Sequence, residues 1–229
     1  FHGQDLEGEK ILITAGPTQE PLDPVRFISN RSSGRMGGAL AQAARERGAD
    51  VTLIAGPISV DPPQGVDVLR VRTTEEMRKA VLERFPSSTI AIMAAAVSDY
   101  RPAVPRSSKL KRVGKPLSLK LEETPDILKE LGAKKDSRIL VGFAAETSSL
   151  VAHARKKLRE KNLDLVVAND VSSPRWGFDS DENKVTLIPR AGKVQSFPTM
   201  KKIEVAHRIL DAIRKLKPAA APKGRAPHP

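Results

Sequence analysis

Two hydroxyl residues and a glycine, Ser32-Ser33-Gly34, lead into Arg35-Met36-Gly37-Gly38 and an alanine-rich stretch of helical pattern. At a helix start, free N–H groups, hydroxyls and the positive dipole end converge, and Gly34 and Gly37 permit close approach, so a phosphate monoester fits there. An ordinary Ser cap with glycines for tight packing explains the same residues equally well. The long insertion ahead of it, Gly16 to Arg31, favours the anion, because loops of that length in a compact α/β domain are usually functional. Further along, Thr124-Pro125-Asp126-Ile127-Leu128 opens a short helix whose first amides could meet a triphosphate, although simple capping would account for it in isolation. Lys157 and Lys161 lie four residues apart on one helix face, where Arg155, Lys156 and Arg159 otherwise suggest a solvated basic surface.

Other chemistries are excluded or weakened by composition. The 229 residues include no cysteine, which removes disulfides, thiolate zinc sites and cysteine nucleophiles, and His2, His153, His207 and His228 have no metal-ligand spacing. The net charge is +12, but five basic and no acidic residues follow from Arg214 onward, which leaves +7 for the body. With one Trp, one Tyr and six Phe the chain lacks the aromatic stacking surface of single-strand binders, so phosphate-rich small molecules are expected rather than nucleic acid. No apolar run reaches the roughly eighteen residues of a membrane span, and the polar start has no secretory pattern, so a cytoplasmic protein without a membrane partner is expected.

The elements that must position these residues alternate between apolar β-rich runs and helical patterns. Ile11–Ala15, Val51–Ala55, Val66–Val71, Ile90–Ala95, Ile139–Phe143 and Leu165–Ala168 predict buried strands of an α/β, Rossmann-like, mostly parallel sheet flanked by helices. Met36–Arg47 predicts a helix stopped at Gly48, and Thr73-Thr74-Glu75-Glu76 a capping box opening a helix to Phe85. From Arg101 to Lys115 periodicity is lost in a run of Pro, Ser, Lys and Arg, which with a strand at Leu117–Leu121 predicts a mobile flap over about 101–121. Lys184–Ile188 and Lys193–Phe197 predict a hairpin, and Lys201–Leu216 a helix. Residues 1–8 are expected to be a linker, 9–216 the folded domain, and 217–229 a disordered tail.

A nicotinamide site is disfavoured, because no G-x-G-x-x-G turn opens the first helix and the second strand ends in Ala55-Gly56-Pro57 without an acidic residue for a ribose diol. A nicotinamide-dependent oxidoreductase nonetheless remains the enzymatic alternative on fold class alone. A basic nucleic-acid-binding module is the non-enzymatic one.

Thr14-Ala15-Gly16-Pro17-Thr18, Pro24 through Gly34, Ala94 through Arg101, Lys109-Leu110-Lys111-Arg112, Val141 through Thr147 and Ala168-Asn169-Asp170 resemble, in order from about Gly8 to Ile213, the phosphopantothenoylcysteine synthetase family. That resemblance implies a ligase joining 4′-phosphopantothenate to cysteine in coenzyme A synthesis. The carboxylate is first activated at the α-phosphorus of a nucleoside triphosphate, and the amine then attacks the acyl-nucleotidate. It implies that Gly16, Asn30, Ser32, Gly34, Gly37, Ala96 and Asn169 surround the phosphopantothenate. Met93, Ala94 and Ala95 would hold the base, with Asp99 and Phe143 close by, Pro125, Asp126, Ile127 and Leu128 at the triphosphate, and Lys157 and Lys161 near the nucleotide. Lys109 on the flap is the candidate to stabilise phosphoryl charge with Mg²⁺, and Asn30 the candidate to orient the intermediate and its oxyanion. Arg26 is expected to support that loop or a carboxylate, a structural role being as good a reading. The resemblance further implies CTP as co-substrate, since the Lys109-Leu110-Lys111-Arg112 flap is similar to that of the CTP-using bacterial branch. It implies a metal held mainly by the triphosphate, a homodimer with the flap at its interface, and fusion or association with a flavin-dependent decarboxylase, with no flavin on this chain.

Overall fold

The runs expected as strands form the middle of one sheet in a computed structural model that describes residues 3–112, 114, 116–146, 150–170 and 180–217. Among these residues, in chain order, run β1 (Lys10–Ala15), β2 (Gln19–Pro21), β3 (Phe27–Ser29), α1 (Arg35–Glu46), β4 (Asp50–Ala55), β5 (Asp67–Arg70), α2 (Thr74–Arg84), β6 (Ile90–Met93), β7 (Tyr100–Pro102), β8 (Leu121–Glu123), α3 (Ile127–Ala133) and β9 (Ile139–Glu146). They are followed by α4 (Leu150–Glu160), β10 (Leu165–Asp170), β11 (Glu182–Asn183), β12 (Val185–Pro189), β13 (Gln195–Ser196), β14 (Met200–Lys201) and α5 (Lys202–Leu216). The main sheet has eight strands in the order β13-β12-β10-β9-β6-β1-β4-β5 among the described residues. The six adjacent strands from β10 to the edge strand β5 are parallel, and β12 and β13 close the other side antiparallel. The chain runs outward from β1 to β5 and then returns to the other side of β1 at β6, which makes the β1–β6 junction the topological switch point of a doubly wound sheet.

Side chains alternate across β1. Ile11, Ile13 and Ala15 face the layer of α1 and α5, while Leu12 faces that of α2, α3 and α4. Burial on both faces explains why the strands read as continuous apolar runs. Thr73 caps α2 by accepting from Glu76 N at 3.2 Å, but the Glu76 carboxylate accepts from Arg72 N at 2.7 Å, one residue before the reciprocal position of a capping box.

Several boundaries differ from expectation. β6 ends at Met93 rather than Ala95, because Ala95 N donates to Thr14 Oγ1 at 3.1 Å and Ala96 N to Gly16 O at 2.9 Å in place of a ladder. The flap strand forms at β8, not Leu117–Leu121, since its register pairs Tyr100, Arg101 and Pro102 with Glu123, Glu122 and Leu121. The C-terminal hairpin forms one residue later than expected on its first strand and two on its second. Residues before β1 are not a linker: Leu6 is buried in the core, and Asp5 binds Arg47 Nε and Nη2 at 2.8 Å each. Of the tail expected from 217 to 229, Lys217 is ordered, donating its amide to Arg214 O and pairing with Glu9, and residues 218–229 lie outside the described residues.

Candidate functional site

At the carboxyl ends of β1, β6 and β9 lies a cleft of about 640 Å³. The segment Met93–Val97 crosses it and is held from below by Thr14 Oγ1, by Gly16 O and by Thr18 Oγ1, which accepts from Ser98 N at 3.0 Å. Thr18 in turn meets Thr74 Oγ1 at 3.0 Å, and the buried Glu20 carboxylate accepts from both the amide and the hydroxyl of Thr74, at 2.8 and 2.7 Å. A satisfied buried network of this kind rigidifies what it supports, here the strand tips that face a ligand.

The two readings of the first helix start are separated by its geometry. The N-cap of α1 is Gly34, at φ 78°, with no side-chain cap bond, and its first turn contains no acidic residue. The N-cap is thus a glycine rather than a serine, Ser32 Oγ accepts from Gly34 N at 3.4 Å, and the positive dipole end of α1 lines the cleft, where an anion is favoured. A side chain at Gly34 would meet Ile58 Cγ2 at 2.2 Å, and one at Gly37 would meet Ala15 Cβ at 2.4 Å. Both glycines are therefore steric requirements for seating the helix end over β1. Asn169, across the cleft, has a buried Oδ1 with no hydrogen-bond partner among the described residues, a polar atom that a ligand donor would satisfy.

On the opposite wall, Asp126 caps α3 by accepting from Lys129 N at 3.0 Å, and Lys161 Nζ reaches its other oxygen at 2.9 Å. The Asp126 carboxyl lies below its ordinary pKa: burial, the largest influence, pushes it up, but the Lys161 and Lys129 hydrogen bonds and the charges of Lys161 and Lys157 outweigh it. This helix start is thus already capped by a side chain, unlike that of α1. Lys157 Nζ donates to Phe143 O at 2.6 Å, which fixes the lysine stem along the end of β9.

The cleft collects Met93, Ala94, Ala95, Ala96, Asp99, Pro125, Asp126, Ile127, Leu128, Phe143, Lys157 and Lys161 together with Asn30, Ser32, Gly34, Gly37 and Asn169. Asn30 Nδ2 donates to Val97 O at 2.8 Å, which ties the loop ahead of α1 to the segment that follows β6. Three expected residues do not line it. Gly16, at φ 77°, forms the turn beneath, packed against Ile58. Arg26 is held by Asp23 at 2.5 Å and by Leu110 O at 2.9 Å, so its guanidinium is occupied with the hairpin turn and the flap. Lys109 is exposed on the flap outside the lining.

Thr14, Arg35, Asn183 and Lys202 also line the cleft and were not singled out from sequence. Arg35 pairs with Asp181, and the buried Lys202 donates to Ser180 O. The one local signal was at Lys202, a cation opening a helix where the dipole disfavours positive charge. Among the described residues, no three His, Cys, Asp or Glu are placed to hold a metal ion, and no helix is long and apolar enough to cross a membrane.

Residues 6–216 match the family described as the DNA/pantothenate metabolism flavoprotein C-terminal domain. The coenzyme A biosynthesis bifunctional protein CoaBC of Bacillus subtilis (strain 168) is 49% identical over 212 residues, 92% of this chain and 52% of that protein. The chain thus spans about half the length of this curated relative. The crystal structure of the C-terminal domain of a coenzyme A biosynthesis bifunctional protein CoaBC superposes with a TM-score of 0.80 at 42% identity, covering 93% of this chain and 97% of that one. A Cab2 H337A mutant in complex with phosphopantothenate-cysteine shares the fold at 18% identity with a TM-score of 0.73, over 91% of this chain and 87% of its own. With its described body matched almost end to end, the chain belongs to the DNA/pantothenate metabolism flavoprotein C-terminal domain family.

Proposed function

We propose that this chain is a phosphopantothenate–cysteine ligase of coenzyme A biosynthesis that uses CTP. The observation that carries the reading is the cleft at the switch point, which the glycine-capped start of α1 and the tip of β6 line together. Relatives named for coenzyme A biosynthesis support it. A phosphate monoester on the α1 amides places the acid's carboxylate toward a triphosphate held between Met93–Ala95 and Lys157 and Lys161. The carboxylate attacks the α-phosphorus, pyrophosphate leaves, and the cysteine amine then displaces CMP from the acyl-cytidylate to form the amide.

The protein contributes positioning and charge rather than covalent help. Lys109, next to Leu110 on the flap, would bring its charge to the transferring phosphoryl group, and Mg²⁺ bound to the triphosphate would offset the charge of the phosphoryl oxygens. Asn30, oriented by Val97 O, stabilises the oxyanion of amide formation. The two hairpins β2–β3 and β7–β8 pack together and expose Val25, Phe27, Leu117, Leu119 and Leu121, an apolar patch that suits a homodimer interface. The relatives' bifunctional naming supports association with a decarboxylase half.

A pyrophosphate-release assay with CTP, phosphopantothenate and cysteine, each omitted in turn, tests the reaction. Release is expected to require CTP and phosphopantothenate but not cysteine for the first turnover, and Lys109→Ala to slow it on the order of a hundredfold. Release that persists without phosphopantothenate would refute the activation step.

A further inference from the structure

Asp23 occupies the turn between β2 and β3, and its carboxylate is fully enclosed. Five donors converge on it among the described residues. Oδ1 accepts the amides of Val25 and Arg26 at 2.9 and 2.8 Å. Oδ2 accepts Arg26 Nε at 3.0 Å, Arg26 Nη2 at 2.5 Å and the amide of Leu110 at 3.1 Å. Arg26 Nη2 also donates to Leu110 O, and Arg106 N donates to Leu22 O at 3.0 Å, so the flap stem is fastened to this turn at both ends of residues 106–110.

A turn of this type needs only the first oxygen, since an Asp side chain satisfies it by bonding to backbone amides two and three residues on. The second oxygen and the enclosure of the charge are not explained by the turn. An enclosed carboxylate is costly unless its hydrogen-bond shell is complete, and Leu110 completes this one from the flap. Arg26, chiefly, holds the carboxyl well below the usual carboxylate range, with the three amides adding to it against burial, so the charge persists across the working pH. Leu110 directly follows Lys109. From the other side of the turn, β3 runs from Phe27 to Ser29 straight into Asn30, whose amide is fixed on Val97 O.

We propose that Asp23 is a positioning residue that latches the flap at Leu110 to the hairpin turn, so that Lys109 and Asn30 are set by one junction. Its effect on rate rests on the reaction proposed above, but the latch itself does not. Arg26 is the second half of the same junction, which explains why it stands outside the cleft.

Hydrogen–deuterium exchange of the whole chain tests the latch, and pyrophosphate release at saturating CTP and phosphopantothenate tests its consequence. In Asp23→Ala the Leu110 amide is expected to exchange about tenfold faster or more, which is the loss of one charge-assisted hydrogen bond. Release should slow by a similar factor of about ten, with the KM for phosphopantothenate unchanged. Leu110→Pro removes the flap amide while leaving the turn amides of Val25 and Arg26 in place. It should reproduce the slowed release with those two amides still protected, and it decides the matter if Asp23→Ala fails to fold. A purely structural Asp23 would instead leave release by Leu110→Pro at the wild-type rate. That result, or an unprotected Leu110 amide in the wild type, would overturn the latch. A wild-type chain that releases no pyrophosphate would sink the reaction, while the exchange comparison would still judge Asp23.

Discussion

Gly37 sets the distance between α1 and the strand beneath it. A methyl group there would lie 2.4 Å from Ala15 Cβ, 3.0 Å from its Cα and 3.1 Å from Thr14 O, none of which is a flexible side-chain end. Gly37→Ala is therefore expected to destabilise the fold by about 1–3 kcal/mol, read as a lower urea midpoint with unchanged slope, and to weaken phosphopantothenate binding as the helix start is displaced. Asn30→Ala, in contrast, removes an exposed amide held by one good bond to Val97 O. Stability should change little, and rapid quench should show pyrophosphate release at the wild-type rate but amide formation slower on the order of a hundredfold. At this scale the sequence was informative where chemistry is local. Ser32, Gly34 and Gly37 could be placed at a helix start from their spacing alone. Asn183 and Lys202 could not, because they reach the cleft from far along the chain through the β11–β14 ladder, which leaves no short-range pattern.

Among the elements, the parallel strands were the most legible, since burial on both faces turns them into plain apolar runs. Their ends were not. β6 stops early because Thr14 and Gly16 capture the next amides, a tertiary event invisible to periodicity. The flap strand was misplaced for a related reason: Leu117, Leu119 and Leu121 alternate like a strand, yet a ladder begins only at Leu121 and the earlier leucines are exposed. Leu117 and Leu119, exposed apolar residues that pair with no strand among the described residues, point to a second surface. Phe27→Glu combined with Leu119→Glu, one substitution on each hairpin, should shift the proposed dimer toward monomer in sedimentation equilibrium. The far-ultraviolet spectrum should stay as it was, because neither residue supports the core. A dimer of undiminished strength would exclude this face as the interface.

For the whole molecule, Arg47 ties the beginning of the described chain to its end. It is fully buried at the C-terminus of α1, binds Asp5, pairs with Asp211 on α5 at 3.0 Å and donates to His207 O. Removing one partner of a buried pair typically costs about 3–5 kcal/mol; Asp5 and Asp211 keep some solvent access, so Arg47→Met should cost roughly 2–4 kcal/mol in urea denaturation. The Arg47 hydrogen bond is also the main reason that Asp5 titrates below 3.8. A depressed folded pKa stabilises above the unfolded value, so this contribution is complete above pH 3.8 and is lost as pH falls through the lower folded value. In Arg47→Met the acid limb of the stability profile should accordingly be shallower. None of this was legible beforehand: Asp5 and Leu6 sit in a polar, glycine-flanked stretch that reads as a linker, and only the pocket beneath α1 and α5 gives them a place in the core.

The position of β1 has one more consequence. It comes first in the chain yet lies mid-sheet, hydrogen-bonded on one side to β4 and on the other to β6, so a ribosome releasing this polypeptide would hold β1 with a bare edge until residues 90–93 emerged. The floor that Thr14 and Gly16 provide for the cleft does not exist before that docking. The cleft is thus incomplete until that strand has docked, and a fragment cut ahead of Ile90 would retain α1 but neither of the strand tips, β6 and β9, that line the cleft with it.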